Sequence, residues 1–328
     1  MKQYKVYVTR MIPQKGIDLL ESVADVTVNP YDAPLPGNEL LREMKAGGYD
    51  GVLGLLTDRI DGEFFDACQS LKGYANYAVG YDNIDVPEAT RRGIPVSNTP
   101  GVLTDATAEC AWALLFATAR RVVEADRVMR SGVWEGWGPL QFIGGDIRGK
   151  TLGIVGAGRI GTATALMSRG FGMKVLYTSS SNRRNKVLDA ELNAELVPFE
   201  ELLERSDFVS IHTPLTPGTR HLFDSAAFSR MKKTAYLINT ARGPVIREDD
   251  LVRALKSGEI AGAGLDVFEN EPAMAPGLAG LDNVIVLPHV GSATHSSRNG
   301  MAQLAARNLI AMLKGDRPET CLNPELFE

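Results

Sequence analysis

Apolar residues recur along this chain in two rhythms, short β-branched runs and longer stretches at helical spacing. Residues 4–9, 24–28 and 49–56 read as strands. Residues 13–23 read as a helix, with Ile17, Leu19, Leu20 and Val23 on its apolar face. A loop marked by Pro30, Pro34, Pro36 and Gly37 leads to a second helix, which Asn38 is expected to cap and which runs to residue 46. Residues 74–79 form another strand, followed by Gly80 and a polar turn. Residues 94–97 form a short strand, and Thr99-Pro100-Gly101 reads as a hinge. Strands alternating with helices across short loops predict a parallel α/β sheet.

Residues 104–131 form the longest helical pattern. It is apolar over much of its circumference, which predicts burial in a core or against another subunit. Gly132 stops it. Trp134 and Trp137 follow in a glycine- and proline-containing loop and are read as covering the helix end, with a contact surface as the other reading. A second alternating unit then runs from residue 151. Its strands lie near 151–155, 174–178, 196–197, 208–212, 235–240, 260–267 and 284–287, in outline a six-stranded doubly wound sheet. Its helices fall at 162–170, 199–205 and 248–257, the last ended by Gly258. A final helix, near 296–314, is expected to return to the first domain.

The strand at 151–155 runs straight into Gly156-Ala157-Gly158-Arg159-Ile160-Gly161 and then a helix. That order of strand, glycine turn and helix suits a dinucleotide. Gly156 permits the tight turn, Gly158 lets a pyrophosphate approach, and Gly161 lets the helix pack closely. The helix N-terminus offers free N–H groups to the phosphates. The first unit has no such turn, but the glycine at 80 could present backbone N–H groups to a ligand as readily as form an ordinary turn.

The 328 residues allow two domains, with ordinary hydrophobic (44%) and charged (23%) content. A net charge of −5 argues against a nucleic-acid partner. No run reaches membrane-spanning length and no signal sequence opens the chain, so no membrane partner is expected. Cys68, Cys110 and Cys321 are sparse and unpaired in pattern, which points to a reducing, cytoplasmic setting. No metal site is expected.

A dinucleotide fold normally places an acid at the end of its second strand to bind the ribose hydroxyls. Here that place reads Tyr177-Thr178-Ser179-Ser180-Ser181-Asn182-Arg183-Arg184, without a carboxylate. Hydroxyls and arginines accept a 2′-phosphate that a carboxylate would repel. NADP(H) is therefore predicted as the preferred cofactor, with NAD(H) possible. Ser179, Ser180 and Arg183 are the residues expected to read it.

Arg242, Glu271 and His289 stand just past successive strands, where ligands bind in a doubly wound sheet. An arginine can fork a carboxylate, a histidine can exchange a proton near neutrality, and an acid beside it orients the ring and favours the imidazolium. Spacing does not choose between Glu269 and Glu271. Of four histidines, His289 is favoured by position over His212, while His221 lies in a polar loop and His295 opens a helix.

Taken together, residues 78–85, 101–109, 153–161, 239–243, 264–272 and 288–293 resemble the D-isomer-specific 2-hydroxyacid dehydrogenases, and within them the glyoxylate/hydroxypyruvate reductases. The resemblance runs over essentially the whole chain. It implies two doubly wound parallel-sheet domains with the active site in their cleft. One is a flavodoxin-like substrate domain of residues 1–100 and 290–328, and the other a Rossmann cofactor domain of residues 101–289. It implies that Arg242 grips the substrate carboxylate, that His289 donates the proton and that Glu271 pairs with it. Leu55, Val79, Gly80 and Ser292 would complete the substrate site. Thr107, Arg159, Ile160, Pro214, Thr219, Thr240, Asp266 and Gly291 would join the glycines at the cofactor. It further implies a homodimer built on the helix of residues 104–131, with the 134–141 loop reaching the neighbour. The subgroup often carries arginine almost directly after the second strand, where Ser180 and Ser181 stand here. Some hydroxypyruvate-preferring members have an aromatic residue near Gln141.

The activity so implied is reduction of a small 2-keto acid to the D-2-hydroxy acid by NAD(P)H. The rival readings are another dehydrogenase of the family, acting on formate, phosphite or 3-phosphoglycerate, and a nucleotide-sensing binding protein like the related corepressors.

Overall fold

The computed structural model describes residues 2–179 and 183–328, so Ser180 lies outside the described residues. The chain divides into two compact units, residues 1–103 with 293–328, and residues 104–292.

In chain order, the first unit opens with β1 (Tyr4–Val8), α1 (Gln14–Glu21), β2 (Ala24–Val28), α2 (Gly37–Gly47) and β3 (Gly51–Gly54). It continues through α3 (Gly62–Ala67), β4 (Gly73–Asn76), α4 (Val86–Arg91) and β5 (Val96–Ser97). All pairings are parallel and the strand order is β2-β1-β3-β4-β5, the flavodoxin-like arrangement. Helix α2 starts after Pro36 and has no side-chain cap, so Asn38 does not take the role expected of it; proline with its preset φ begins the turn instead.

The second unit starts with α5 (Thr104–Ala119) and α6 (Val122–Ser131). This corrects the single helix expected over 104–131. Arg121 sits at φ 52, in the left-handed region, which ends one helix and lets the next begin at a new angle. Helix α5 is buried: Trp112 donates its indole N–H to the carbonyl of Thr164 at 2.9 Å and stacks on Phe171. Helix α6 buries none of its residues. Trp134 and Trp137 beyond it are 47% and 83% exposed, so they do not cover the helix end.

Then follow β6 (Thr151–Val155), α7 (Arg159–Met167), β7 (Lys174–Thr178), α8 (Lys186–Leu192), β8 (Glu195–Leu196), α9 (Phe199–Arg205) and β9 (Phe208–Ile211). After these come α10 (Ser225–Arg230), β10 (Tyr236–Asn239), α11 (Glu248–Ser257), β11 (Gly262–Leu265) and β12 (Val284–Val286). The sheet has seven parallel strands, one for each run marked in the sequence and one more than the six-stranded outline, ordered β12-β11-β10-β9-β6-β7-β8. Sequence order reverses between β6 and β9, which is where such folds bind ligands.

The last helix, α12 (His295–Leu313), belongs to the first unit and packs on α1, β3 and β4. A Cβ at Gly16 would come within 2.8 Å of Ala302, and one at Gly73 within 2.6 Å of Met312. Glycine at these places lets the helix lie close.

Candidate active site

In the second unit the predicted residues gather at the carboxyl ends of the strands. Gly156 follows β6 at φ 97, and a Cβ there would stand 2.8 Å from the carbonyl oxygen of His212. A Cβ on Gly161 would meet the Gly156 oxygen at 2.2 Å, so α7 packs against the turn only because residue 161 is glycine. Gly158 differs: a Cβ there meets nothing within 4 Å. It precedes Arg159 and Ile160 in the first turn of α7, which no side chain caps. An open backbone at an uncapped helix N-terminus fits a pyrophosphate.

Other groups on this unit fit the rest of a dinucleotide. Thr240 Oγ1 is buried and has no hydrogen-bond partner among the described residues. Thr219 donates its hydroxyl to the carbonyl of Pro214 at 2.6 Å, which brings these two predicted residues into one turn. His212 lies past β9 with its Nε2 2.8 Å from Ser210 Oγ, and burial pushes its pKa down to about 3, so the ring is neutral. After β7, Arg184 pairs with Asp189 at 2.8 Å, whereas Arg183 is exposed and forms no ion pair with a described residue.

Arg242 ends the strand β10 turn, where the Asn239 side chain donates to its carbonyl at 2.9 Å. Beyond β11, Glu271 Oε1 accepts from the Phe268 N–H at 3.1 Å and its Oε2 faces His289 Nδ1 at 3.0 Å. The structure thus selects Glu271 over Glu269 as the partner of His289. Burial opposes ionisation of Glu271, but the hydrogen bond and charge of His289, the Phe268 amide and Arg242 together hold it below the ordinary carboxylate value. With Nδ1 committed to Glu271, Nε2 is the ring atom left to serve a reactant.

His289 itself adopts φ 56. Asp266 explains how that turn is held: its two carboxylate oxygens accept from the N–H groups of Val290 and Gly291, both at 2.7 Å. A Cβ on Gly291 would stand 2.9 Å from Asp266 Oδ2 and 3.5 Å from Thr107 Cγ2, so Thr107, Asp266 and Gly291 meet at one point. Ser292 follows directly.

The first unit brings Leu55, Val79 and Gly80 to the carboxyl ends of β3 and β4. Their peptides are held by groups the hydrophobic pattern does not reveal. The Asn98 side chain donates to the Val79 carbonyl at 2.8 Å, the Thr99 N–H to the Ala78 carbonyl at 2.8 Å, and Asn76 to the Gly80 carbonyl at 2.9 Å. Asn83 donates to the carbonyl of Leu55 at 3.1 Å, and buried Asp58 accepts from the Leu55 N–H at 2.8 Å. In a trans peptide the N–H points opposite the C=O. Fixing the carbonyls of Ala78 and Val79 therefore aims the amides of Val79 and Gly80.

The profile of the D-isomer specific 2-hydroxyacid dehydrogenase NAD binding domain matches residues 112–291. The chain belongs to the D-isomer specific 2-hydroxyacid dehydrogenases. A glyoxylate reductase of Thermococcus gammatolerans is 52% identical over 328 residues, covering 99% of this chain and 97% of the relative. The crystal structure of a glyoxylate reductase from Paecilomyes thermophila superposes with a TM-score of 0.88 at 33% identity, covering 99% of this chain and 100% of that one. An NADPH-dependent glyoxylate/hydroxypyruvate reductase from Sinorhizobium meliloti, solved with NADP and malonate, gives a TM-score of 0.86 at 32% identity, covering 98% and 97%.

Proposed function

We propose that this protein reduces glyoxylate, and small 2-keto acids like it, to the 2-hydroxy acid. The observation that carries the reading is the 3.0 Å pairing of His289 Nδ1 with Glu271 past the same sheet edge as Arg242. When bound, the reduced nicotinamide supplies a hydride to the carbonyl carbon. Arg242 binds the carboxylate and draws on the carbonyl oxygen. His289, as imidazolium, gives the Nε2 proton to that oxygen and is left neutral, to be reprotonated from solvent. Glu271 fixes the tautomer and offsets the charge. Val79 and Gly80 are assigned as further donors to the carboxylate. General acid catalysis is worth roughly 10²–10⁴-fold, so His289→Ala should lose at least 100-fold in kcat with glyoxylate while still binding cofactor. Near-normal turnover in that variant would falsify the assignment.

NADPH is proposed as the preferred reductant, supported by the absence of a carboxylate directly after β7 and by the exposed Arg183. A homodimer is proposed on the surface of α6 and the loop after it, where Met129, Val133, Trp137, Leu140 and Ile143 are all more than half exposed. A monomeric mass in light scattering would reject it. The corepressor-like reading has no structural observation in its favour.

A further inference from the structure

Two histidines of the second unit share an uncommon backbone. His221 has φ 55 and His289 has φ 56, and the ring of each faces a glutamate of one short turn. His289 pairs with Glu271, and His221 Nε2 pairs with Glu269 Oε1. The second pair is no ordinary surface contact. The side chains of His221 and Glu269 are 27% and 20% exposed. Glu269 Oε2 accepts from the N–H of Glu248 at 3.1 Å, so both oxygens of its carboxylate are engaged. Glu248, itself buried, accepts in return from the N–H groups of Glu269 and Ala275 and clamps the turn at both ends. Arg220 is the nearby cation, and Glu248 the nearby anion. Burial would raise the Glu269 carboxyl, but the Glu248 amide, His221 and Arg220 hold it below its ordinary value.

The backbone of His221 is tied in the other direction. Its N–H donates to the carbonyl of Pro244 at 2.8 Å, two residues past Arg242. Gly243 lies so close to the second loop that a Cβ there would stand 1.8 Å from the carbonyl carbon of Phe268. His221 thus holds the Arg242 loop by its backbone and the Glu271 loop by its ring.

We propose that His221 and Glu269 are positioning residues that set the spacing between Arg242 and the Glu271–His289 pair. The inference rests on the catalytic reading of those three residues. The left-handed turn at His221 is a costly backbone for a residue other than glycine, and from it one residue reaches both loops. The pair touches no reacting atom; it acts through Glu271. Misplacement of a reacting group by about 1 Å can cost on the order of 100-fold in rate.

The test is a double-mutant cycle on the full-length protein, reading kcat with glyoxylate, the Kd of NADPH by fluorescence titration, and Tm. His221→Phe keeps a ring and deletes the hydrogen bond; His221→Gln restores a donor. The inference expects His221→Phe to lower kcat roughly 10- to 100-fold, with cofactor Kd changed less than about threefold, and His221→Gln to recover most of the loss. In a Glu271→Ala background the same His221→Phe step should cost less than about threefold, because residues acting through one another are not additive. Glu269→Gln gives a second route into the same cycle should the phenylalanine variant fold poorly. Normal kcat in His221→Phe, with Glu271→Ala impaired, would overturn the inference alone. Equal losses in both backgrounds would overturn it too, by making the pair a general support of the fold. Normal kcat in Glu271→Ala by itself would remove the catalytic reading and the inference with it.

Discussion

The side-chain amide of Asn98 donates to the carbonyl oxygen of Val79 at 2.8 Å. Asn98 is in turn fixed through its own carbonyl, which accepts from Thr320 Oγ1 at 2.6 Å and Asn308 Nδ2 at 3.3 Å. The Gly80 N–H is therefore aimed by a chain of hydrogen bonds that ends in the C-terminal segment. Asn98→Ala should raise KM for glyoxylate about tenfold, with kcat and the KM for NADPH little changed, and should cost about 1 kcal/mol of stability. Asn98→Asp should do no better, since a carboxylate cannot donate to a carbonyl. Steady-state kinetics with both substrates, beside a urea titration, check this.

Glu271 Oε2 lies 3.0 Å from Nδ1 of His289 and fixes the ring assigned to the proton transfer. The factors around the Glu271 carboxylate favour its own ionised form, so it remains charged well below neutral pH. Its titration therefore cannot set the alkaline limb of the rate profile. Glu271→Gln removes that carboxylate, so kcat with glyoxylate should fall about tenfold or more while the Kd of NADPH is little changed. Normal kcat in the variant would detach Glu271 from the proton donor.

Two glycines of the β6–α7 turn should respond differently to alanine. Gly156→Ala forces a side chain into the left-handed region and against the His212 oxygen, so a loss of about 1–3 kcal/mol in stability is expected. Gly158→Ala meets open space and should leave Tm within about 1 °C while weakening cofactor binding tenfold or more, because the methyl stands where a phosphate would approach. Thermal melts with and without NADPH separate the two effects.

The arginines after β7 should also differ. Arg184 is engaged by Asp189, and Arg183 is exposed. Arg183→Ala should reduce the NADPH-over-NADH ratio of kcat/KM by roughly tenfold, the scale of one lost charge-assisted contact. Arg184→Ala should change it less. A wild-type preference for NADH would end the argument.

The succession of strands along the chain and the glycine turn after β6 were legible because both rest on local signals. Buried parallel strands are nearly continuous apolar runs, and Gly156 to Gly161 sits between one of them and a helix. Four short helices, α3, α4, α8 and α10, have six or seven residues each, too few for a periodic stripe. Yet each is capped by an Asx side chain, Asp61, Asp85, Asn185 and Asp224, so the cap was the signal to read. The break at Arg121 left no such mark; an arginine in the left-handed region is a tertiary outcome. Glu271 and Glu269 could not be separated by spacing, since both have a histidine partner and only packing decides which. The asparagines at 83 and 98 act on carbonyls 28 and 19 residues away, which no local pattern encodes.

The first unit is written in two pieces, residues 1–103 and 293–328. The faces of Gly16, Gly51 and Gly73 lie against α12, which comes from the second piece. During synthesis the intervening residues must be made before that cover exists, a delay of roughly 10–40 s at ordinary elongation rates. The unit begun first is therefore completed last, and its uncovered helix-docking face is the surface a chaperone or protease meets in the interval. The unit between the two pieces carries all its own strands in one stretch and can fold without waiting.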